Sequence, residues 1–225
     1  MPAPSRGRST RGQHRRAALI KAAAELLLER GITAVSHRSV AKRAELTVAA
    51  TTYYFASLED LTYEALSSVF DRWTVETQGL VDRLPAQLNG PTQVATAVLE
   101  IATARPAEAS ARTAAGVMAM YERYLEAGRH PGLRPLVHAY NEGLLRQVGV
   151  VLSKGGLPAD VDTARLTLAV VDGAALFDVA EGVAPASSAT GVLARMLRLL
   201  YVEDGEKGPS SSPRPAPAAG RSSPP

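Results

Sequence analysis

The 225-residue sequence contains no cysteine. Disulfides, thiolate metal sites and cysteine nucleophiles are thereby excluded, and nothing ties the chain to an oxidising compartment. No stretch approaches about 18 uninterrupted apolar residues, and the segment Met1 to Gln13, rich in Arg, Ser and Pro, holds no apolar run of signal-peptide length. A cytoplasmic protein that neither spans nor coats a membrane is the expectation. The two-residue alternation of a half-buried strand is nearly absent, and no repeat of fixed period occurs, which disfavours both a sheet and a solenoid. The four histidines (His14, His37, His130, His138) are read as having no i, i+4 pairing with Glu and no metal-ligand spacing, and there is no nucleophile elbow or glycine-rich phosphate loop. Catalytic residues, a metal and a cofactor are therefore not expected.

At roughly 150 residues per domain, the length allows one or two domains with an ample core. The formal charge of +3 is unevenly spread: +5 over residues 1–60, −4 over residues 61–205 and +2 over residues 206–225. A basic head on an acidic body suits a polyanion at one end only, because neutralised phosphates release counterions while the body is repelled. A solvated Arg-rich tail would give the same counts. From Gly205 to Pro225, 14 of 21 residues are Pro, Ser or Gly. Such a segment buries too little surface to offset its ordering entropy, so a disordered tail is expected over 205–225. Residues 1–12, with Arg6, Arg8 and Arg11 among small polar residues, read as a disordered basic arm.

Between these tails apolar residues recur at spacings of three and four among Ala, Leu, Arg and Glu, which predicts an all-α core of about nine to ten helices. The first runs from about Arg15 to Arg30, with Ile20, Ala23, Ala24 and Leu27 on one stripe, and stops at Gly31. Ser36 is a good N-cap for a short second helix reaching about Ala44, with Val35 and Val40 spaced as a hydrophobic staple. After a turn at Glu45-Leu46, Thr47 caps a third helix, Val48 to Tyr54. Its β-branched Val48, Thr51 and Thr52 leave it dependent on packing. Ser57, with Asp60 at the third position, caps a long fourth helix towards Arg83, before Pro85. Further helices are expected over 91–105, 108–127, 131–154, 160–182 and 189–202, separated by Gly, Pro and Asn.

Two short helices joined by a tight turn and flanked by longer ones form a helix-turn-helix, which offers an exposed helix to the major groove of double-stranded DNA. The runs Gly31-Ile32-Thr33-Ala34-Val35-Ser36-His37-Arg38-Ser39-Val40-Ala41, Ala44 through Tyr53-Tyr54-Phe55, and Ser57-Leu58-Glu59-Asp60-Leu61 together resemble the DNA-binding domain of the tetracycline-repressor (TetR) family. The resemblance covers about residues 14–65. It implies a DNA-binding domain over 13–57 and a helical ligand-binding and dimerisation domain over 58–204. It further implies a one-component regulator, usually a repressor, that binds a palindromic operator as a homodimer and is released by a small-molecule inducer.

Departures from the family pattern shape the expected site. Glu45 stands where the family often has Gly, at a cost of roughly 1–2 kcal/mol if left-handed, which predicts a slightly different turn. Val48 and Ala49 replace the usual Lys and Gly or Pro, and Leu58 replaces a phosphate-binding Lys. Phosphate attraction then rests on Arg38, Lys42, Arg43 and the N-terminal arginines. Chemistry and the family pattern together nominate Ser36, Arg38, Lys42, Arg43, Thr47, Val48, Ala49, Ala50, Thr52, Tyr53 and Tyr54 as DNA-binding residues. Arg38 can fork onto a guanine edge or a phosphate; Ala49, Ala50 and the methyls of Val48 and Thr52 suit thymine methyls; the hydroxyls of Thr47, Tyr53 and Tyr54 suit phosphate oxygens. Thr51 is expected to point inward and Phe55 to fill the core. Tyr53 stays open between packing alone and packing with phosphate contact, and Lys42 and Arg43 between DNA contact and solvated charge.

One helix-turn-helix buries little DNA, so a self-association surface is needed. Leu166, Ala169, Val170, Gly173 and Phe177 on one helix, with Val192 and Met196 on the next, form the candidate dimer interface, Gly173 allowing close helix approach. Packing into the monomer's own core is the alternative. A mostly apolar inducer is expected among the middle helices, with Trp73, Met118, Tyr121, Tyr124, His138, Tyr140 and Phe177 as candidate ligand-binding residues; the same residue types fill ordinary helical cores. Asp172 and Asp178 read as capping or ion-pairing residues rather than catalytic carboxylates. The competing function is a helical small-molecule-binding protein or enzyme without a DNA-binding role.

Overall fold

Helix α1 (Arg6–Arg30) buries Leu19, Ala22, Ala23, Leu26 and Leu27, so its apolar stripe is turned away from the expected Ile20 and Ala24, which lie half-buried at its edge. It begins at Arg6 rather than near Arg15, so residues 6–12 continue this helix instead of forming a separate arm. The structure, a computed structural model, describes residues 6–103, 121, 125, 128–184 and 188–206. Among these residues it is wholly helical, with eight α-helices and short 3-10 turns at Ile32–Ala34 and Pro131–Leu133. That count falls short of nine to ten; the span 108–127, where another helix is expected, lies largely outside the described residues, as does 207–225.

Helix α2 (His37–Arg43) starts at Ser36 as expected, and the cap is reciprocal. Ser36 Oγ accepts from the Ser39 N–H at 3.1 Å, and Ser39 Oγ accepts from the Ser36 N–H at 3.0 Å, so Ser39 performs the role that Glu or Gln has in most such boxes. The helix ends in a left-handed cap. Leu46 N–H reaches back to Ala41 O at 2.9 Å and Glu45 N–H to Lys42 O at 3.3 Å, with Glu45 at φ 54°. The altered turn expected from a missing glycine is thus not found: Glu45 adopts the glycine conformation, because the two backbone bonds and the half-buried Leu46 hold it there.

Helix α3 (Val48–Tyr54) and helix α4 (Leu58–Arg83) match their expected limits, and Ser57 Oγ accepts from the Asp60 N–H at 3.0 Å at the start of α4. The remaining helices are α5 (Gly90–Thr103), α6 (Arg134–Lys154), α7 (Val161–Ala180) and α8 (Ala189–Glu206). Asp160 caps α7 with its carboxylate, which its bonds to Thr163 hold below the usual range. The buried Asp178 of α7 accepts from the Ser188 N–H at 3.0 Å just before α8.

Two apolar clusters result. One joins α1 and the helix-turn-helix to the first half of α4 and reaches α6 through Leu133 and Tyr140; the other joins the end of α4 to α5, α6, α7 and α8. Phe70 of α4 stacks on Tyr140 of α6 with centroids 4.6 Å apart, and Trp73 leans on both. Burying aromatics of this size contributes roughly 1.5–3 kcal/mol each. Gln147 adds a polar tie from α6 to α4, donating to Thr74 O and Gln78 Oε1 at 3.3 Å. Among the described residues no helix is long and apolar enough to cross a membrane.

Candidate DNA-binding interface and ligand cavity

Helix α3 has a single buried side chain, Thr51. Val48, Ala49, Thr52 and Tyr53 are exposed, and the Tyr53 side chain at 80% exposure is no part of the core. Ala50 and Tyr54 are half-buried and pack on the first cluster, with the Tyr54 hydroxyl close to Gly12 of α1. Phe55 is buried as expected, with the Arg16 guanidinium 5.3 Å from its ring centroid and bonded to Glu64 of α4 at 2.6 Å. This wedge fixes the base from which α3 projects.

Of the nominated cations, Arg38 and Lys42 on α2 are exposed. Arg43 is placed differently. Its two Nη atoms meet the Glu29 carboxylate at 2.8 and 2.7 Å, and Nη1 also lies 3.4 Å from Glu25. These bonds hold the Glu29 carboxyl below its usual range and raise the Arg43 guanidinium further, so Arg43 knits α2 to α1. Ser36 is likewise occupied by its capping box. Thr47 sits at the N-cap of α3 without a side-chain capping bond and is exposed. Thr52 Oγ1 donates to Ala49 O at 3.2 Å. Sequence reasoning missed His37: its Nδ1 lies 2.9 Å from Thr51 Oγ1, a contact between positions fourteen apart that no local pattern announces.

A cavity of about 460 Å³ opens between α5, α6 and α7, lined by Ala102, Tyr121, His138, Asn141, Glu142, Leu144, Leu145, Arg165, Leu168, Ala169 and Asp172. Tyr121 Oη donates to the Asp172 carbonyl and carboxylate at 3.0 and 3.1 Å. His138 Nε2 is 3.9 Å from Glu142 Oε1, one helical turn on, which corrects the expectation that no histidine pairs with a Glu four residues away. Of the five candidate ligand residues among those described, Tyr121 and His138 line this cavity. Trp73 and Tyr140 are buried in the aromatic core instead, and Phe177 is 71% exposed on the other face of α7. Met118 and Tyr124 lie outside the described residues.

The dimer candidates divide similarly. Leu166, Phe177 and Val192 are exposed, while Val170 and Met196 are half-buried against the second cluster and Ala169 borders the cavity. Among the described residues a Cβ at Gly173 would meet nothing within 4 Å. Among the described residues no group of three or more His, Asp or Glu could hold a metal ion.

Residues 19–65 match the family model of bacterial regulatory proteins of the tetR family, and residues 89–199 match the tetracyclin repressor-like C-terminal domain. No curated protein matches the chain. Among solved structures, a TetR-family member of Streptomyces coelicolor A3, SCO1917, is 31% identical, with 81% of this chain and 97% of that one covered and a TM-score of 0.54. The multidrug binding protein EbrR, complexed with proflavin, is 30% identical over 81% of this chain and 99% of its own, at a TM-score of 0.58. A TetR transcription regulator from Haloarcula marismortui ATCC 43049, 15% identical over 85% of this chain and 98% of its own, shares the fold at a TM-score of 0.60. With both family models in order along one chain, and relatives of this identity spanning their whole length, the protein belongs to the TetR family of transcriptional regulators.

Proposed function

We propose that the protein is a repressor that binds a palindromic operator as a homodimer and leaves it when a small, mostly apolar ligand enters the cavity between α5, α6 and α7. The exposed face of α3 carries this reading. Val48, Ala49 and Thr52 present methyl groups suited to thymine, while Thr47, Tyr53, Arg38 and Lys42 flank them with phosphate-binding groups. The exposed Leu166 and Phe177, on one stripe with Gly173, support self-association, since a regulator that needs two half-sites needs a partner surface. Ligand response is supported by the likeness to EbrR complexed with proflavin, 99% of which this chain matches.

Helix α6 would couple the two sites. One of its faces supplies His138, Asn141, Glu142 and Leu145 to the cavity, and another inserts Tyr140 into the core that holds the helix-turn-helix. A ligand that favours a shifted α6 would thereby favour a displaced DNA-binding domain, and by linkage DNA would weaken the ligand to the same degree. An electrophoretic shift with the DNA upstream of the protein's own gene, at fixed salt, tests the DNA-binding part. A specific band that a tightly bound apolar ligand removes is expected; equal affinity for that DNA and random duplex would overturn it.

A further inference from the structure

We infer that His37 positions the recognition helix by donating a hydrogen bond from Nδ1 to the buried hydroxyl of Thr51. The inference rests on the reading of α3 as the DNA-contacting helix. A helix of seven residues holds only through packing, and the one side chain that α3 buries is a threonine at 0% exposure, where a methyl would pack without needing a partner. Thr51 Oγ1 has a single proton, which it donates to Val48 O at 2.7 Å. At the 2.9 Å contact with His37 the hydroxyl is therefore the acceptor, and the ring carries its proton on Nδ1. This arrangement requires the Nδ1–H tautomer.

His37 is the first residue of α2, the end farthest along the chain from the turn that joins α2 to α3. One end of the helix pair is set by the backbone bonds around Glu45 and the other by this side-chain bond. The Ser36–Ser39 box fixes the first turn of α2, so the His37 ring is presented from a locked register. Removing either partner leaves α2 and α3 folded but frees the angle between them. Losing one net hydrogen bond should weaken operator binding about three- to tenfold.

Imidazole nitrogen shifts of 15N-labelled protein report the tautomer without DNA. Thr51→Val, His37→Ala and the double variant are then titrated against the preferred upstream duplex and against random duplex, with circular dichroism showing each folded at the working temperature. Expected are an Nδ1–H tautomer that is lost in Thr51→Val, single-variant losses on the preferred duplex only, and a double variant no worse than either single. His37→Asn, whose amide places an N–H near the position of Nδ1, should recover part of the loss. An Nε2–H tautomer, additive losses, or equal losses on both duplexes would overturn the inference. A wild-type protein without any duplex preference would instead overturn the DNA-binding reading, a failure that the tautomer measurement separates from failure of the His37 bond.

Discussion

Glu45 offers a direct test of the helix-turn-helix geometry. It is the one non-glycine residue with positive φ among those described, at 54°, and its side chain is exposed. The left-handed conformation costs an L-residue about 1–2 kcal/mol. Glycine removes that cost, and the greater freedom of its unfolded chain returns about 0.5–1 kcal/mol of destabilisation. Glu45→Gly should therefore raise the unfolding free energy by about 0.5–1 kcal/mol. The turn's own bonds come from the backbone N–H groups of Glu45 and Leu46, which the substitution keeps. Glu45→Ala, which retains Cβ, should change little, and Glu45→Val should destabilise because a β-branched side chain tolerates this region poorly. Urea unfolding measures all three, and an unchanged dependence on denaturant shows that only stability has moved. A Glu45→Gly protein no more stable than wild type, beside an unchanged Glu45→Ala, would refute a left-handed turn.

Three further outcomes follow from named contacts. Arg38→Ala and Lys42→Ala should each lower the slope of log affinity against log salt by about one, whereas Arg43→Ala, whose guanidinium is held by Glu29, should leave that slope nearly unchanged in the same titration. The Glu29 carboxyl, lowered chiefly by its bond to Arg43, lends stability above the ordinary carboxylate range that is lost as pH falls through its lowered range; acid unfolding of Arg43→Ala should lack that contribution. Phe177→Glu should give a monomer by light scattering, because a two-fold interface meets the new charge twice, and a persistent dimer would place the interface elsewhere.

Much of the fold is legible locally. Ser36 and Ser57 cap where they should, α3 and α4 keep their predicted limits, and Phe55 and Thr51 turn inward because the spacing of apolar residues fixes which face is buried. What escapes the sequence depends on partners distant along it. Arg43 looks like any exposed cation until Glu29 of α1 is brought beside it, and His37 looks inert until Thr51 arrives from fourteen residues away. Trp73 and Tyr140 have the composition of a pocket wall, yet Phe70 stacks on Tyr140 and packs at a tilt against Trp73 in the core. Glu45 misleads for the opposite reason: its intrinsic preference argues against the turn, and two backbone bonds override it.

Selection of duplexes from a random pool by the full-length protein tests most directly whether paired α3 helices read DNA. The expected product is a palindrome whose half-sites are centred about one helical turn apart, or a multiple of it, with thymine-rich steps where Val48, Ala49 and Thr52 face the groove. A pool that gains no common sequence, or converges on a single asymmetric half-site, would contradict a dimer that presents two recognition helices.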